Sequence, residues 1–97
     1  MKRPEDCENL GDVRQAIDAL DQEIIGLIGR RAGYVARAAH FKTDEQSVRA
    51  PERQRAMFEA RRRWAEENGL DPDMIEDLYH ALVSYFVDRE MDRWRNP

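Results

Sequence analysis

Cysteine and long hydrophobic runs are both scarce in this sequence, which contains one cysteine, Cys7, among its 97 residues. A single thiol cannot form an intrachain disulfide, and this usage is typical of a reducing compartment. No apolar stretch approaches the roughly 20 residues that a membrane-spanning helix needs. The N-terminal stretch MKRPEDCENL also lacks the hydrophobic segment of a secretory signal. These absences predict a cytoplasmic protein that is not associated with a membrane.

Groups for covalent or metal-dependent chemistry are also scarce. The two histidines, His40 and His80, are isolated in the sequence, and no serine has a plausible histidine base. The sequence contains neither a cluster with metal-ligand spacing nor a glycine-rich phosphate loop. We therefore expect no metal and no cofactor. An enzyme with this sequence would have to catalyse a reaction that needs only shape, positioning and hydrogen-bond donors.

The charge balance argues against nucleic acids and anionic membranes as partners. The chain has 16 Lys and Arg residues against 20 Asp and Glu residues, a net charge of -4, so it has no general attraction for such polyanions. Its concentrated basic run, RRRW at residues 61–64, is flanked by glutamates. A solvated helix face with local ion pairs explains this run better than DNA binding does.

Apolar residues recur every three or four positions along most of the chain, which is the pattern of amphipathic helices. The first predicted helix covers residues 9–41 without an internal proline. The second begins at Pro51 and ends at Gly69, and the third begins at Pro72. Strand-like alternation is absent from the sequence. The predicted fold class is all-α, with a single domain over residues 1–97.

The first predicted helix is too long for a compact monomer of this size. Its length of about 50 Å, at 1.5 Å per residue, exceeds the diameter of a compact globule of this many residues, roughly 30 Å. Apolar side chains would therefore stay exposed on the part that extends beyond the globule. We expect an intertwined homodimer in which the long helices pack together. The alternative is a helix broken near Gly26 or Gly29 that folds as a monomeric bundle.

Four cations lie on or beside the apolar stripes of these helices, namely Arg14, Arg31, Lys42 and Arg53. Arg31 and Lys42 are eleven residues apart and share one helix face, because eleven steps of about 100° end about 20° from three full turns. Glu90 is the one acid on a comparable stripe. The surplus of positive charge predicts a cavity for an anion, and arginine geometry favours a dicarboxylate. Alternatively, these residues pair among themselves or reach water from the edge of the stripe.

The stretch LGDVRQAIDALDQEIIGLIGRRAGYVARAAHFK resembles the first helix of the all-helical chorismate mutase superfamily. The segments PEDC, GRR, FK, APER and WAEENGLD resemble its isochorismate pyruvate lyase branch, which makes salicylate for siderophores. The resemblance covers nearly the whole chain. It implies an intertwined dimer of three-helix chains that converts isochorismate to salicylate and pyruvate in a pericyclic reaction, with weak chorismate mutase activity. The alternatives are a chorismate mutase that makes prephenate and a non-catalytic or regulatory helical dimer.

The resemblance also implies roles for individual residues. Arg14 would enter the pocket from the neighbouring chain, while Arg31 and Lys42 would bind the carboxylates of the substrate. Lys42 would in addition reach the ether oxygen of the bond that breaks, and Arg53 would add a further basic group. The other substrate-binding positions would be Val35, Ala38, Gln54, Met57, Phe86 and Val87.

Glu90 departs from the pattern of the family. The resemblance implies a catalytic role for this position together with Lys42, but the lyases and many bacterial mutases carry glutamine there. A carboxyl group can donate a hydrogen bond to the ether oxygen only when it is protonated. Alternatively, Glu90 points outward and pairs with Arg89 or Arg93.

Overall fold

The structure, a computed structural model, describes residues 2–44 and 49–95, with the backbone alone at residue 94. Its elements are a short 3-10 helix and three α-helices, in chain order Pro4–Asp6, Leu10–Ala39 (α1), Pro51–Glu67 (α2) and Pro72–Arg95 (α3). The described residues include no strand, and the all-α prediction is confirmed. None of the helices in these two ranges has the length and hydropathy of a membrane span.

The chain divides into two compact units, residues 1–34 and 35–97. The first unit contains the 3-10 helix and most of α1. The second contains the end of α1 together with α2 and α3. Because α1 is continuous from Leu10 to Ala39, the predicted alternative of a helix broken at Gly26 or Gly29 is not observed.

The start of α1 is held by local hydrogen bonds around Asp12. Its Oδ2 accepts hydrogen bonds from the backbone N–H of Glu8 at 3.1 Å and from Nζ of Lys2 at 3.0 Å. These two interactions lower the pKa of the Asp12 carboxyl, the backbone bond most strongly. Oδ1 of Asn9 accepts the N–H of Asp12 at 2.8 Å, so an asparagine, one of the preferred capping residues, caps the helix.

Most of the apolar stripe of α1 is exposed. No residue of Leu10–Ala39 is buried, although Ile28 and Val35 are half-buried. The other large apolar side chains of the helix are between 38% and 76% exposed, namely Leu10, Val13, Ile17, Leu20, Ile24, Ile25, Leu27 and Tyr34. Apart from the adjacent residues and the neighbouring backbone of α1 itself, no described atom lies within 4 Å of where a Cβ would stand on Gly26, Gly29 or Gly33. Most large apolar side chains of α1 are therefore accessible to solvent in the described part of the chain.

The α2–α3 hairpin follows from turn signals in the sequence. Gly69 has φ +72, a left-handed conformation that glycine adopts without steric cost. Its N–H donates to the Glu66 carbonyl at 3.1 Å, and the N–H of Leu70 donates to the Ala65 carbonyl at 2.8 Å, which is the Schellman pattern of helix ends. Oδ1 of Asp71 then accepts the N–H of Asp73 at 2.9 Å and caps α3. Both helix boundaries thus lie where the sequence predicts them.

Helices α2 and α3 pack against each other in the second unit. Met57 and Ala65 of α2 and Met91 of α3 are its buried apolar residues among those described. At the edge of the pair, the rings of Phe58 and His80 stack with centroids 3.9 Å apart. This hairpin forms the framework on which the polar residues of the second unit are placed.

Candidate active site

Lys42 lies in a tightened turn that follows α1. The helix ends at Ala39, two residues earlier than predicted. The N–H groups of His40, Phe41 and Lys42 donate to carbonyls three residues earlier at 3.1, 3.0 and 3.3 Å. Such 3-10 bonds commonly tighten the last turn of a helix because they satisfy carbonyls that have no α-helical partner. The difference in the helix end therefore reflects the local bonding of Lys42 and its neighbours.

Lys42 and Glu90 form an ion pair within the second unit. Nζ of Lys42 donates to Oε2 of Glu90 at 2.9 Å, and the two side chains are 24% and 7% exposed. Glu90 is the one buried charged residue in the described part of the chain. A charge-assisted hydrogen bond of this length is strong and directional. Glu90 is buried, so the alternative of an outward carboxylate on α3 is not observed. The alternative that the charged residues pair among themselves is observed for Lys42 and Glu90.

A cavity of about 250 Å³ lies between the start of α2 and the middle of α3. Two of the predicted site residues, Gln54 and Val87, line it, and Nε2 of Gln54 donates to the Arg49 carbonyl at 2.7 Å. The remaining lining residues are Arg49, Pro51, Val83, Ser84 and Asp88. The cavity therefore combines two apolar side chains of α3 with several polar groups.

Ser84 and Asp88 are polar lining residues that the sequence interpretation missed. They are four residues apart on α3, and Val83 and Val87 repeat the same spacing. Residues four apart lie on one side of a helix. The prediction of Val87 as a site residue therefore also indicated Val83. The pair Ser84 and Asp88 lies one residue further round the helix. Arg49 lies in the connection before α2, where no periodicity points to it.

Arg31 carries a guanidinium nitrogen that lacks a partner. Its Nη1 is shielded from solvent and makes no hydrogen bond to any described residue. A buried donor left unpaired costs about 1–3 kcal/mol, and more when it is charged. The guanidinium of Arg31 therefore keeps one shielded donor, Nη1, to which no described residue forms a hydrogen bond.

The other predicted site residues differ in their exposure. Met57 is buried, and Phe86 and Val35 are half-buried. Ala38, Arg14 and Arg53 are exposed. Arg14 and Arg31 belong to the first unit of the chain, whereas the rest of the predicted site belongs to the second. Within the second unit, Lys42 is paired with Glu90. Gln54 and Val87 line the same cavity.

The chemistry available to the predicted site residues, each taken by itself, is that of fixed charges and hydrogen bonds. In residues 2–44 and 49–95, no group of His, Cys, Asp and Glu side chains is arranged to hold a metal ion. The ammonium of Lys42 can stabilise negative charge on an oxygen, and the guanidinium of Arg31 can bind a carboxylate. The Glu90 carboxyl can either accept from Lys42 or, once protonated, donate to another oxygen.

The sequence of the chain is similar to proteins of a known family. The sequence model described as chorismate mutase type II matches residues 13–91. The isochorismate pyruvate lyase of Pseudomonas aeruginosa is 45% identical over 95 residues, which cover 98% of this chain and 94% of that protein. The T-protein of Haemophilus influenzae is 42% identical over 77 residues, covering 78% of this chain and 20% of that protein. The T-protein of Enterobacter agglomerans is 30% identical over 82 residues, covering 84% of this chain and 22% of that protein.

These matches agree with the all-helical fold. The family model covers α2 in full and most of α1 and α3. The similarity to the lyase extends over nearly the whole length of both proteins. The chain therefore belongs to the chorismate mutase type II family.

Proposed function

We propose that the chain is an isochorismate pyruvate lyase, which converts isochorismate to salicylate and pyruvate without a cofactor and has weak chorismate mutase activity. The observation that carries the proposal is its 45% identity to a lyase of that name over 98% of the chain. The shielded ion pair of Lys42 with Glu90 and the unpaired nitrogen of Arg31 supply the kind of groups that the reaction uses.

The proposed reaction is pericyclic and needs no nucleophile. As the C–O bond to the enolpyruvyl group breaks, a hydrogen passes from the ring to the enolpyruvyl methylene. The ring becomes salicylate, and the released enolpyruvyl group, which has gained the hydrogen, becomes pyruvate. Negative charge grows on the ether oxygen during this step, and an oriented cation stabilises it more in the transition state than in the bound substrate. Lys42 is the residue that we assign to this oxygen.

The two carboxylates of the substrate require further cations. We assign one carboxylate to Arg31, whose Nη1 has no partner in the described part of the chain. Arg14, which is exposed near the start of α1, supplies the second binding group from a neighbouring chain, and Arg53 supplies further positive charge at the start of α2. Val35, Ala38 and the other apolar positions form the walls of the pocket.

The proposal includes a homodimer. It is supported by the exposed apolar stripe on α1 and by the open space around Gly26, Gly29 and Gly33, where a second helix can approach closely. Burying apolar surface contributes about 25 cal/mol per Å². A stripe along the whole of a 30-residue helix is therefore a large driving force for association.

Sedimentation velocity at micromolar concentration is expected to show a dimer. Ile24→Asp places a charge on the apolar stripe, where Ile24 is 52% exposed in the single chain, and is expected to dissociate the dimer and abolish turnover. Gln22→Asp introduces the same charge at an exposed residue on the opposite face of α1 and serves as the control. A wild-type monomer with full activity would contradict both the dimer and the cross-chain role of Arg14.

Lys42→Ala is expected to lower kcat about a hundredfold, since removal of a charge-stabilising donor typically costs about 3 kcal/mol of transition-state stabilisation. KM should change much less. The single substitution leaves Glu90 buried without its partner, so the double variant Lys42→Ala/Glu90→Gln is the matched control for folding, checked by circular dichroism. A Lys42→Ala variant with altered KM and unchanged kcat would assign Lys42 to substrate binding alone.

Product analysis tests the reaction itself. The purified protein is incubated separately with isochorismate and chorismate, and products are separated by chromatography. Salicylate and pyruvate from isochorismate are the expected products. A chorismate mutase is the second candidate, favoured by the family match over residues 13–91, and prephenate as the main product would support it. No product from either substrate would favour the non-catalytic helical dimer.

A further inference from the structure

The side-chain amide of Gln54 bonds to the backbone of its own chain. Nε2 of Gln54 donates to the Arg49 carbonyl at 2.7 Å. A carbonyl oxygen can only accept a hydrogen bond, so the amide group that faces it must be the NH2. The backbone N–H of Gln54 also donates to the Ala50 carbonyl at 3.0 Å. One residue of α2 therefore binds two consecutive carbonyls of residues 49–51, which we call the entry segment.

The entry segment has a backbone conformation that its sequence disfavours. Ala50 has a φ of 40° and a ψ of 62°, in the left-handed region where the Cβ of a non-glycine residue is crowded. It also precedes Pro51, whose ring favours extended conformations of the residue before it. Among the described non-glycine residues, Ala50 is the one with a positive φ. Such a conformation persists only where surrounding contacts hold it, and the bond from Gln54 to the Arg49 carbonyl is one of these contacts.

The entry segment forms part of the wall of the cavity of about 250 Å³. Arg49 and Pro51 line the cavity together with Gln54, which is half-buried. The remaining lining residues come from α3, namely Val83, Ser84, Val87 and Asp88. The part of the wall outside α3 thus consists of a strained segment and the side chain that holds it. A movement of the entry segment would therefore change the shape of the cavity.

The position of the cavity links this wall to the proposed reaction. Val87 is a predicted substrate-binding residue, and Glu90, about one helical turn further along α3, is paired with Lys42. The amide nitrogen of Gln54 is already bonded to the Arg49 carbonyl. A contact of the same nitrogen with a ligand would compete with that bond, and its loss would release the entry segment.

We propose that Gln54 is a positioning residue, which holds the entry segment in its strained conformation and so keeps the cavity in the shape that the ligand requires. The proposal rests on the proposed function, because it takes the ligand to be the substrate or the aromatic product of that reaction. It differs from the role that the family resemblance implies, in which Gln54 itself binds the substrate. The positioning role uses the N–H donor of the amide and acts through Ala50.

Substitutions of Gln54 separate the two roles. Calorimetric titration with salicylate gives Kd, and steady-state kinetics with isochorismate gives KM and kcat. Gln54→Leu removes the donor, and we expect Kd and KM to rise about fivefold, the effect of one ordinary hydrogen bond, with little change in kcat. Gln54→Glu keeps an acceptor but has no donor when it is ionised, so it should lose at least as much. Arg55→Leu, at an exposed position of α2, is the control and should bind normally.

Relief of the strain at Ala50 provides the second arm of the experiment. Glycine adopts the left-handed conformation without steric cost, so Ala50→Gly should hold the entry segment without help from Gln54. We therefore expect the double variant Ala50→Gly/Gln54→Leu to bind salicylate as tightly as Ala50→Gly alone. Circular dichroism checks that each variant is folded.

The possible outcomes separate this inference from the proposed function. Wild-type Kd and KM in Gln54→Leu or in Gln54→Glu would overturn it, because the donor of the amide would then not be needed. An equal loss from Gln54→Leu with and without Ala50→Gly would also overturn it, because the effect would then not pass through the entry segment. Failure of the wild type to bind salicylate or to convert isochorismate would instead contradict the proposed function.

Discussion

Replacement of Arg31 by alanine is expected to abolish turnover of isochorismate and binding of dicarboxylate inhibitors while the helical circular dichroism stays intact. Nη1 of Arg31 is shielded and has no hydrogen-bond partner among the described residues. Its proposed partner is a carboxylate of the substrate. A hydrogen bond between charged groups contributes about 1.5–3 kcal/mol, and the substitution also removes the neighbouring donors of the guanidinium. We therefore expect kcat/KM to fall at least a hundredfold, as about 3 kcal/mol implies.

The folding of the Arg31→Ala variant provides an internal check. A shielded donor without a partner among the described residues costs free energy in the folded chain, so its removal should not lower the midpoint of thermal unfolding. Arg30→Ala, at the exposed neighbouring position on α1, is the matched control and should keep normal kinetics. Activity of Arg31→Ala within threefold of the wild type would mean that Arg31 does not bind the substrate.

Glu90→Gln is expected to remove the fall in kcat that accompanies loss of the Glu90 proton. In the wild type, only the protonated carboxyl can donate to the ether oxygen, so kcat should fall as the pH rises and the proton is lost. An amide remains a donor throughout. The variant should therefore match the wild type at low pH and exceed it at high pH, by up to about a hundredfold if the donor contributes the ~3 kcal/mol typical of such groups.

The comparison requires pH–rate profiles under saturating substrate, so that changes in binding do not contribute. Asp92→Asn removes an exposed carboxylate two residues further along α3 and should leave the profile unchanged. If Glu90→Gln is active with the same profile as the wild type, Glu90 does not donate to the reacting oxygen. The buried ion pair with Lys42 would then be a structural contact only.

Local signals in the sequence were sufficient to predict the helices. Pro51 and Pro72 mark helix starts because proline has a fixed φ, and Gly69 marks a helix end because it adopts a left-handed φ. Each of these signals depends on only a few neighbouring residues. The end of α1 was predicted two residues too late, at Phe41 instead of Ala39. Apolar periodicity continues through the last turn of a helix whether its bonds are α-helical or 3-10, so it does not distinguish the two.

Individual site residues were harder to predict than the helices that carry them. The periodicity of α3 placed Glu90 and Val87 on its apolar side, and both lie where that pattern implies. Arg49, Ser84 and Asp88 were missed because a polar residue beside a stripe can face either a cavity or solvent. The packing of α2 on α3 decides between these two.

The sequence by itself determined that this protein is all-helical, that its first helix has an apolar stripe and that cations lie along it, because helical periodicity and capping act between residues a few positions apart. The sequence also carries the resemblance to a known family. Only the tertiary structure decided that Lys42 and Glu90, separated by 48 positions, form an ion pair and that this carboxylate is buried. A periodic pattern predicts which face of a helix a residue occupies. The residue that it contacts on that face depends on how distant segments of the chain pack together.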